Sequence, residues 1–332
     1  MRTINWGIIG CGNISSQFAT GLMNMQNTNI MAVASRDKAR GEEFGKRFGA
    51  QKIYNSYEDI VMDDEIDVIY IGTPHSEHFS NAALCIKNGK SVLVEKAFTR
   101  NSSEAKRLIQ LAKEHNVFLM EAMWTKFMPV TKQVKEWIKE GRIGEIANMQ
   151  INFGFRREMP NTHRLMDPKL AGGALLDVGV YPVTYAVHMM DELPVEIVTT
   201  AVLGETGVDV RNSTIFKFRN GALATLNSAV NAEVGKSAVI IGEKGRIKIP
   251  QFWTAKEAML YDQEGNLLDT AKDLDRIEGK INGYEYEAYE VNQCIREGKL
   301  ESDIVPLEDT LAIINIMDMM RKEWGVEYPN EG

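Results

Sequence analysis

The stretch Ile4-Asn5-Trp6-Gly7-Ile8-Ile9-Gly10-Cys11-Gly12-Asn13-Ile14-Ser15 decides how the rest of the chain is read. A short run of strand-forming residues ends in two glycines one residue apart, and a helical pattern begins directly after them. In that setting Gly10 suits a tight turn and Gly12 lets the backbone approach a pyrophosphate. The amides of Asn13 and Ile14 then open a helix whose positive end faces the phosphates. The third glycine of a dinucleotide fingerprint is replaced by Ser15, which is small enough to keep helix and strand close. Alone such a turn is a weak signal, because simple chain reversal also uses glycine. Its surroundings make it strong.

Working outward, strand-like runs at 4–9, 30–35, 52–54, 68–71, 91–94 and 117–120 alternate with helix-length segments. This is the βαβ rhythm of a parallel sheet covered on both faces, and the near-continuous apolar character of VIYIG and SVLVE fits strands buried on both sides. Near residue 122 the grammar changes. After a helical stretch at 131–141, MQINFGFR sets Met149, Ile151, Phe153 and Phe155 on one face. Asn220-Gly221 then sits between two strand-like runs as a hairpin signal, and Gly242 to Gly245 forms another turn. The expected fold is therefore an α/β doubly wound parallel sheet over 1–122, followed over 123–332 by an α+β domain with an open, largely antiparallel sheet. Leu311, Ile314, Met317 and Met320 recur at helical spacing, and this last helix is able to pack back on the first domain.

Composition narrows the function. The 332 residues carry 38 Lys+Arg against 46 Asp+Glu, a net charge of −8, which repels a nucleic-acid backbone or an anionic membrane. Neither partner is expected. Three scattered cysteines, Cys11, Cys85 and Cys294, fit no disulfide framework or zinc spacing, and a reducing cytoplasm is the expected location.

Further chemistry lies where strands of such a sheet end. After the second strand the chain reads Ser35-Arg36-Asp37. An NAD-preferring site places an acid here for the ribose hydroxyls, whereas Ser35 carries no charge to repel a 2′-phosphate and Arg36 can pair with one. NADP is expected, with NAD possible if Asp37, otherwise a helix-cap candidate, turns toward the ribose. Thr73, Pro74, His75 and His78 follow the fourth strand, at the edge facing the cofactor crevice. His75 and His78 lack a further ligand nearby, so no metal is expected. Glu95 and Lys96 end the fifth strand, where Lys96 can reach the place at which nicotinamide and substrate meet. In the second domain Gly172-Gly173-Ala174-Leu175-Leu176-Asp177-Val178-Gly179-Val180-Tyr181-Pro182 joins flexible glycines to a carboxylate and a phenol four residues apart, on one face if the segment is an α-helix.

Taken in order, the glycine turn, TPH with His78, EK and GGALLDVGVYP resemble the Gfo/Idh/MocA family of glucose-fructose oxidoreductase and inositol dehydrogenase. The resemblance spans nearly the whole chain. The motif from Glu121 through Trp124 to Phe127, the Tyr181 form of the second motif and the ending PLEDTLAIINIMD are most similar to its dimeric dihydrodiol dehydrogenase branch, which includes NADP-dependent D-xylose dehydrogenases. The resemblance implies Lys96 and Tyr181 as a catalytic pair, Asp177 at the sugar or diol, and Trp124 and Phe127 as pocket walls. Two positions depart from it. Many relatives have His in place of Tyr181, and most have a cis-linked proline in place of Ala97, where a cis bond costs about 3 kcal/mol.

The expected activity is hydride transfer between NADP and a secondary alcohol or hemiacetal of a sugar, polyol or dihydrodiol. In oxidation Tyr181 removes the hydroxyl proton while Lys96 depresses a phenol pKa of about 10, both from an interdomain cleft. A homodimer is expected through the second domain's sheet, whose outer face needs a cover. The alternative is a nucleotide-sensing or regulatory protein on the same fold. It has no need for Lys96, Asp177 and Tyr181 together.

Overall fold

The computed structural model describes residues 2–329 and 331 and divides into two compact units. The first contains β1 (Ile4–Ile9), β2 (Thr28–Ala34), β3 (Lys52–Tyr54), β4 (Val68–Ile71), β5 (Ser91–Glu95) and β6 (Leu119–Ala122), all parallel, in the sheet order 3-2-1-4-5-6. That order reverses between β1 and β4, the switch point at which doubly wound sheets bind nucleotides. Helices α1 (Asn13–Met23), α2 (Lys38–Phe48), α3 (Tyr57–Val61), α4 (His75–Lys87) and α5 (Ser102–His115) connect the strands. All four residues of β4 are buried, as a strand covered on both faces requires. β6 begins two residues later than its sequence pattern suggests. Asn116, left-handed at φ 54, ends α5, and the Val117 amide still bonds back to Ala112, so pairing with β5 starts at Leu119.

One boundary expectation is corrected. Residues 279–314, assigned by sequence to the second domain, cluster with 1–124. The helix Tyr284–Glu297 supplies the reason: the Trp6 indole donates to Asn292 at 3.0 Å, and the Tyr284 ring meets Phe18 edge-on at 6.3 Å. Leu119 also donates its amide to Leu300.

The second unit comprises 125–278 and 315–332. Its eight strands are β7 (Ile146–Gly154), β8 (Glu196–Leu203), β9 (Asp209–Lys217), β10 (Leu223–Ala229), β11 (Ala238–Gly242), β12 (Gly245–Ile249), β13 (Glu257–Asp262) and β14 (Leu267–Lys272). They order as 14-13-12-11-7-10-9-8, antiparallel throughout except for the β7–β10 pair. Asn220-Gly221 makes the β9–β10 hairpin, with Gly221 at φ 88, and the turn after Gly242 joins β11 to β12. Helix α6 (Pro129–Lys139) packs toward β13 and β14, and α7 (Val180–Met190) packs on β7 and β10. Along β9 the residues alternate buried and exposed, so one sheet face is core and the other faces outward.

Candidate active site

In the nucleotide unit the glycine turn is shaped by close approach. Gly10 has φ 90, and a Cβ there would lie 2.9 Å from the Thr73 methyl and 3.0 Å from the Gly72 backbone. A Cβ on Gly12 would meet nothing within 4 Å, so the backbone here is open to a phosphate group. Ser15, in the third glycine's place, is buried and donates its hydroxyl to the Gly10 carbonyl. Asn13 and Ile14 begin α1 as expected. Burial pushes the neighbouring Cys11 thiol up to about 11, so it stays protonated.

At the end of β2 the competition between Arg36 and Asp37 is resolved locally. Asp37 caps α2, its carboxylate accepting from the Arg40 amide at 3.1 Å, while its own amide donates to the buried Ser35 hydroxyl at 3.2 Å. Arg36 is exposed, its guanidinium 5.9 Å from the centre of the Tyr57 ring. The acid serves the helix, and the cation remains at the strand end.

Thr73 and Pro74 are partly exposed after β4, and the buried His75 starts α4. His78, expected among the cofactor contacts, has a different duty. It is fully buried, with Nδ1 2.9 Å from the Ala97 carbonyl and Nε2 2.9 Å from the Thr73 carbonyl. The ring thus lies between the β4–α4 turn and the end of β5; burial lowers its pKa against the pull of the two carbonyls, and the neutral imidazole donates its single N–H to one of them. The Lys96–Ala97 peptide is cis. Glu95, buried, accepts from the Tyr70 hydroxyl at 2.6 Å and from the Lys96 amide at 3.2 Å, so its carboxylate holds the backbone that carries Lys96. Glu287 is also fully buried, with neither carboxyl oxygen partnered among the described residues. Burial, reinforced by the charge of Glu95, keeps it protonated well above the usual range.

In the second unit the segment Leu175–Gly179 is one wide π-helical turn that runs into α7. Asp177 and Tyr181 therefore do not lie on one ordinary α-helical face, because a wider turn changes which residues stack; such turns recur at functional sites. Asp177 is paired with Arg164 at 3.0 Å. The adjacent His163 is held below its ordinary pKa, first by burial and then by Arg157 and Arg164. The Tyr181 ring lies 5.4 Å from Phe153, which stacks on Trp253 at 4.5 Å. Sequence reading did not single out Phe153, Trp253 and Arg164, which stand beside Tyr181 and Asp177. Only Phe153 left a trace, on the apolar face of MQINFGFR.

The pocket-wall expectation divides. Trp124 belongs to the nucleotide unit and stacks on Tyr284 at 4.4 Å. Phe127 is 2% exposed, among the largest core side chains of the second unit. Packing explains it: the turn Trp124–Phe127 is fastened by the Thr125 hydroxyl donating to the Trp253 carbonyl at 2.7 Å.

A phosphate-ready glycine turn at the switch point of a doubly wound sheet, with a lysine at the sheet's carboxyl edge, defines a dinucleotide-binding unit. Residues 4–123 match the oxidoreductase family with NAD-binding Rossmann fold, and residues 131–248 match the GFO/IDH/MocA C-terminal domain. The chain belongs to the Gfo/Idh/MocA family of oxidoreductases. It is 34% identical to trans-1,2-dihydrobenzene-1,2-diol dehydrogenase of Xenopus tropicalis, over 98% of this chain and 99% of that one. It is 32% identical to D-xylose 1-dehydrogenase (NADP(+)) of Hypocrea jecorina, over 98% and 93%. A 3-ketoreductase from Actinomadura kijaniata, solved with NADP and TDP-benzene, shares the fold at a TM-score of 0.87 and 24% identity, over 97% and 98% of the two chains.

Proposed function

We propose that this enzyme transfers hydride between NADP and a secondary alcohol or hemiacetal of a sugar, polyol or dihydrodiol. The observation that carries the reading is Lys96 at the carboxyl end of β5, the edge at which a doubly wound sheet takes its nucleotide, its amide held by the buried Glu95. The open backbone at Gly12, with the start of α1, would hold the pyrophosphate. Ser35 and Arg36 would hold the 2′-phosphate, with Asp37 withdrawn into its cap. The nicotinamide supplies the hydride acceptor or donor. In oxidation an ionised Tyr181 would take the substrate's hydroxyl proton and become the neutral phenol, and a cation such as Lys96 would favour that ionised form. Asp177, oriented by Arg164, accepts hydrogen bonds from substrate hydroxyls, and Phe153 and Trp253 offer ring faces to the carbon skeleton. No observation favours the regulatory alternative.

The test is NADP reduction and NADPH oxidation across pentoses, hexoses, inositols, dihydrodiols and dicarbonyls. Turnover on at least one polyol, sugar or diol is expected, and its absence across the panel overturns the reading.

The outward face of the second sheet exposes Val198, Val202, Ile215 and Leu223. A second copy of the chain is the proposed cover, in a reducing, cytoplasmic setting that suits three buried free cysteines. Light scattering is expected to give twice the 37.3 kDa chain mass, and a monomer at micromolar concentration refutes the dimer.

A further inference from the structure

The π-helical turn and α7 carry Asp177 and Tyr181, yet they begin without a local cap, because Ala174 stands at the capping position and has no hydrogen-bonding side chain. The first amides of any helix lack intrahelical acceptors, and inside a protein such donors need partners. Here the acceptor comes from a distant strand. Asp209, the first residue of β9 and fully buried, accepts from the Leu175 amide at 2.9 Å through Oδ2, and the same oxygen accepts from Asn212 Nδ2 at 2.9 Å. Its other oxygen, Oδ1, has no hydrogen-bond partner among the described residues. Oδ1 instead abuts the glycine pair: a Cβ on Gly173, which has φ 115, would stand 2.3 Å from it. Gly172 is pinned on its other side, its carbonyl accepting from the Tyr328 hydroxyl at 2.6 Å. The glycines before Asp177 thus serve close packing rather than flexibility.

We propose that Asp209 is a positioning residue for the reaction, a cap supplied from β9 that fixes the turn presenting Asp177 and Tyr181. The proposal rests on the site reading above. Asp209 touches neither substrate nor cofactor in that reading and acts through the Leu175 amide. Burial raises its carboxyl to about 7, against the pull of Asn212, the Leu175 amide and the Arg321 guanidinium; Tyr328 is the remaining titratable neighbour, and its phenol is itself raised by burial. Arg321 is already engaged by Glu331 at 2.9 Å and Asp318 at 3.1 Å. The cap holds in both protonation states, since a proton on Oδ1 leaves Oδ2 free to accept. Asparagine reproduces the neutral form, with its carbonyl in the place of Oδ2.

Three variants and one exchange measurement test this. Asp209→Ala is expected to lower kcat roughly 10²-fold, the scale of a catalytic group displaced by about an ångström, while NADPH affinity changes less than twofold. Asp209→Asn is expected to recover kcat to within a few-fold of the parent. A merely structural carboxylate would lower Tm in Asp209→Ala and leave the kcat of folded enzyme unchanged. The proposal is overturned if Asp209→Ala keeps kcat within twofold while Tyr181→Phe is crippled, or if Asp209→Asn is as poor as Asp209→Ala. If Tyr181→Phe itself keeps full turnover, the acid–base reading fails separately, and amide exchange then decides the cap: faster exchange at Leu175 in Asp209→Ala supports it, unchanged exchange overturns it. Should Asp209→Ala not fold, the parent protein suffices, because a Leu175 amide that exchanges as fast as an exposed loop amide removes the cap.

Discussion

In the nucleotide unit Ser15, His78 and Glu95 each use polar side-chain atoms on backbone groups at the ends of β1, β4 and β5. In the substrate unit Asp177 is held by a half-exposed Arg164, and the turn beneath it by one carboxylate 34 residues away in sequence. The first arrangement fixes a backbone shape, which suits a ligand recognised by its phosphates and common to many enzymes. The second fixes side chains, through contacts that can change without disturbing a sheet. A cofactor site can thus stay constant while the substrate site varies on one architecture.

The sharpest way to break this division is to separate turnover from cofactor affinity. Tyr181→Phe keeps the ring against Phe153 and is expected to lower kcat roughly 10²–10⁴-fold with NADPH affinity nearly unchanged. Lys96→Met is expected to fall comparably and to shift the pH profile. The double variant should be little worse than the poorer single one if the two act as a unit. Stopped-flow turnover with cofactor titration checks this, and near-normal kcat in Tyr181→Phe passes the proton role to Lys96.

The reverse separation comes from Arg36→Ala. A charge-assisted contact to a phosphate contributes about 1.5–3 kcal/mol, so NADPH affinity should weaken about 10–100-fold while NADH affinity and saturated kcat hold. Fluorescence titration with both cofactors is the check, and unchanged NADPH affinity removes Arg36 from the 2′-phosphate site.

The same contrast explains what the sequence made legible. The first sheet could be read strand by strand, because β1, β4, β5 and β6 are buried along nearly their whole length, so burial and turn chemistry appear in consecutive residues. Asn220-Gly221 exposed its hairpin for the same local reason. Phe153, Trp253 and Asp209 could not be found this way, because their partners lie on elements distant in sequence and no periodicity records a contact between β7 and the turn after β12. His78 misled in the opposite sense. Its position after β4 signals a ligand, whereas its two carbonyl partners exist only once β5 is beside it.

Stability should also respond to pH through the substrate unit. Asp209 titrates near 7 when folded and near 3.8 when unfolded, so the native state holds the extra proton between those values, and stability from this group falls as pH rises. Asp209→Asn cannot titrate. The stability of the parent minus that of Asp209→Asn should therefore be greatest below about pH 4, fall as pH rises to about 7 and level off above that, a change on the order of a few kcal/mol. Calorimetry across that range checks the sign, and a difference that grows with pH contradicts a protonated buried carboxyl.

The smallest expected effect separates core from site within the substrate unit. Phe127 and Phe153 are both buried phenylalanines, and sequence resemblance favoured Phe127 as the pocket wall. Phe127 is sealed inside the core, so Phe127→Leu removes packing volume and should cost about 1–2 kcal/mol, read as a Tm lower by a few degrees, with KM unchanged. Phe153 sits beside the Tyr181 ring and Trp253, so Phe153→Leu alters the surface beside the proposed acid–base group. It should raise KM several-fold for the best cyclic substrate at a similar cost in Tm, because a leucine presents no ring face to that substrate. Thermal melts and initial-rate kinetics on the two variants together make the comparison. A KM effect in Phe127→Leu without one in Phe153→Leu would return the pocket wall to Phe127 and place the Tyr181 ring against core.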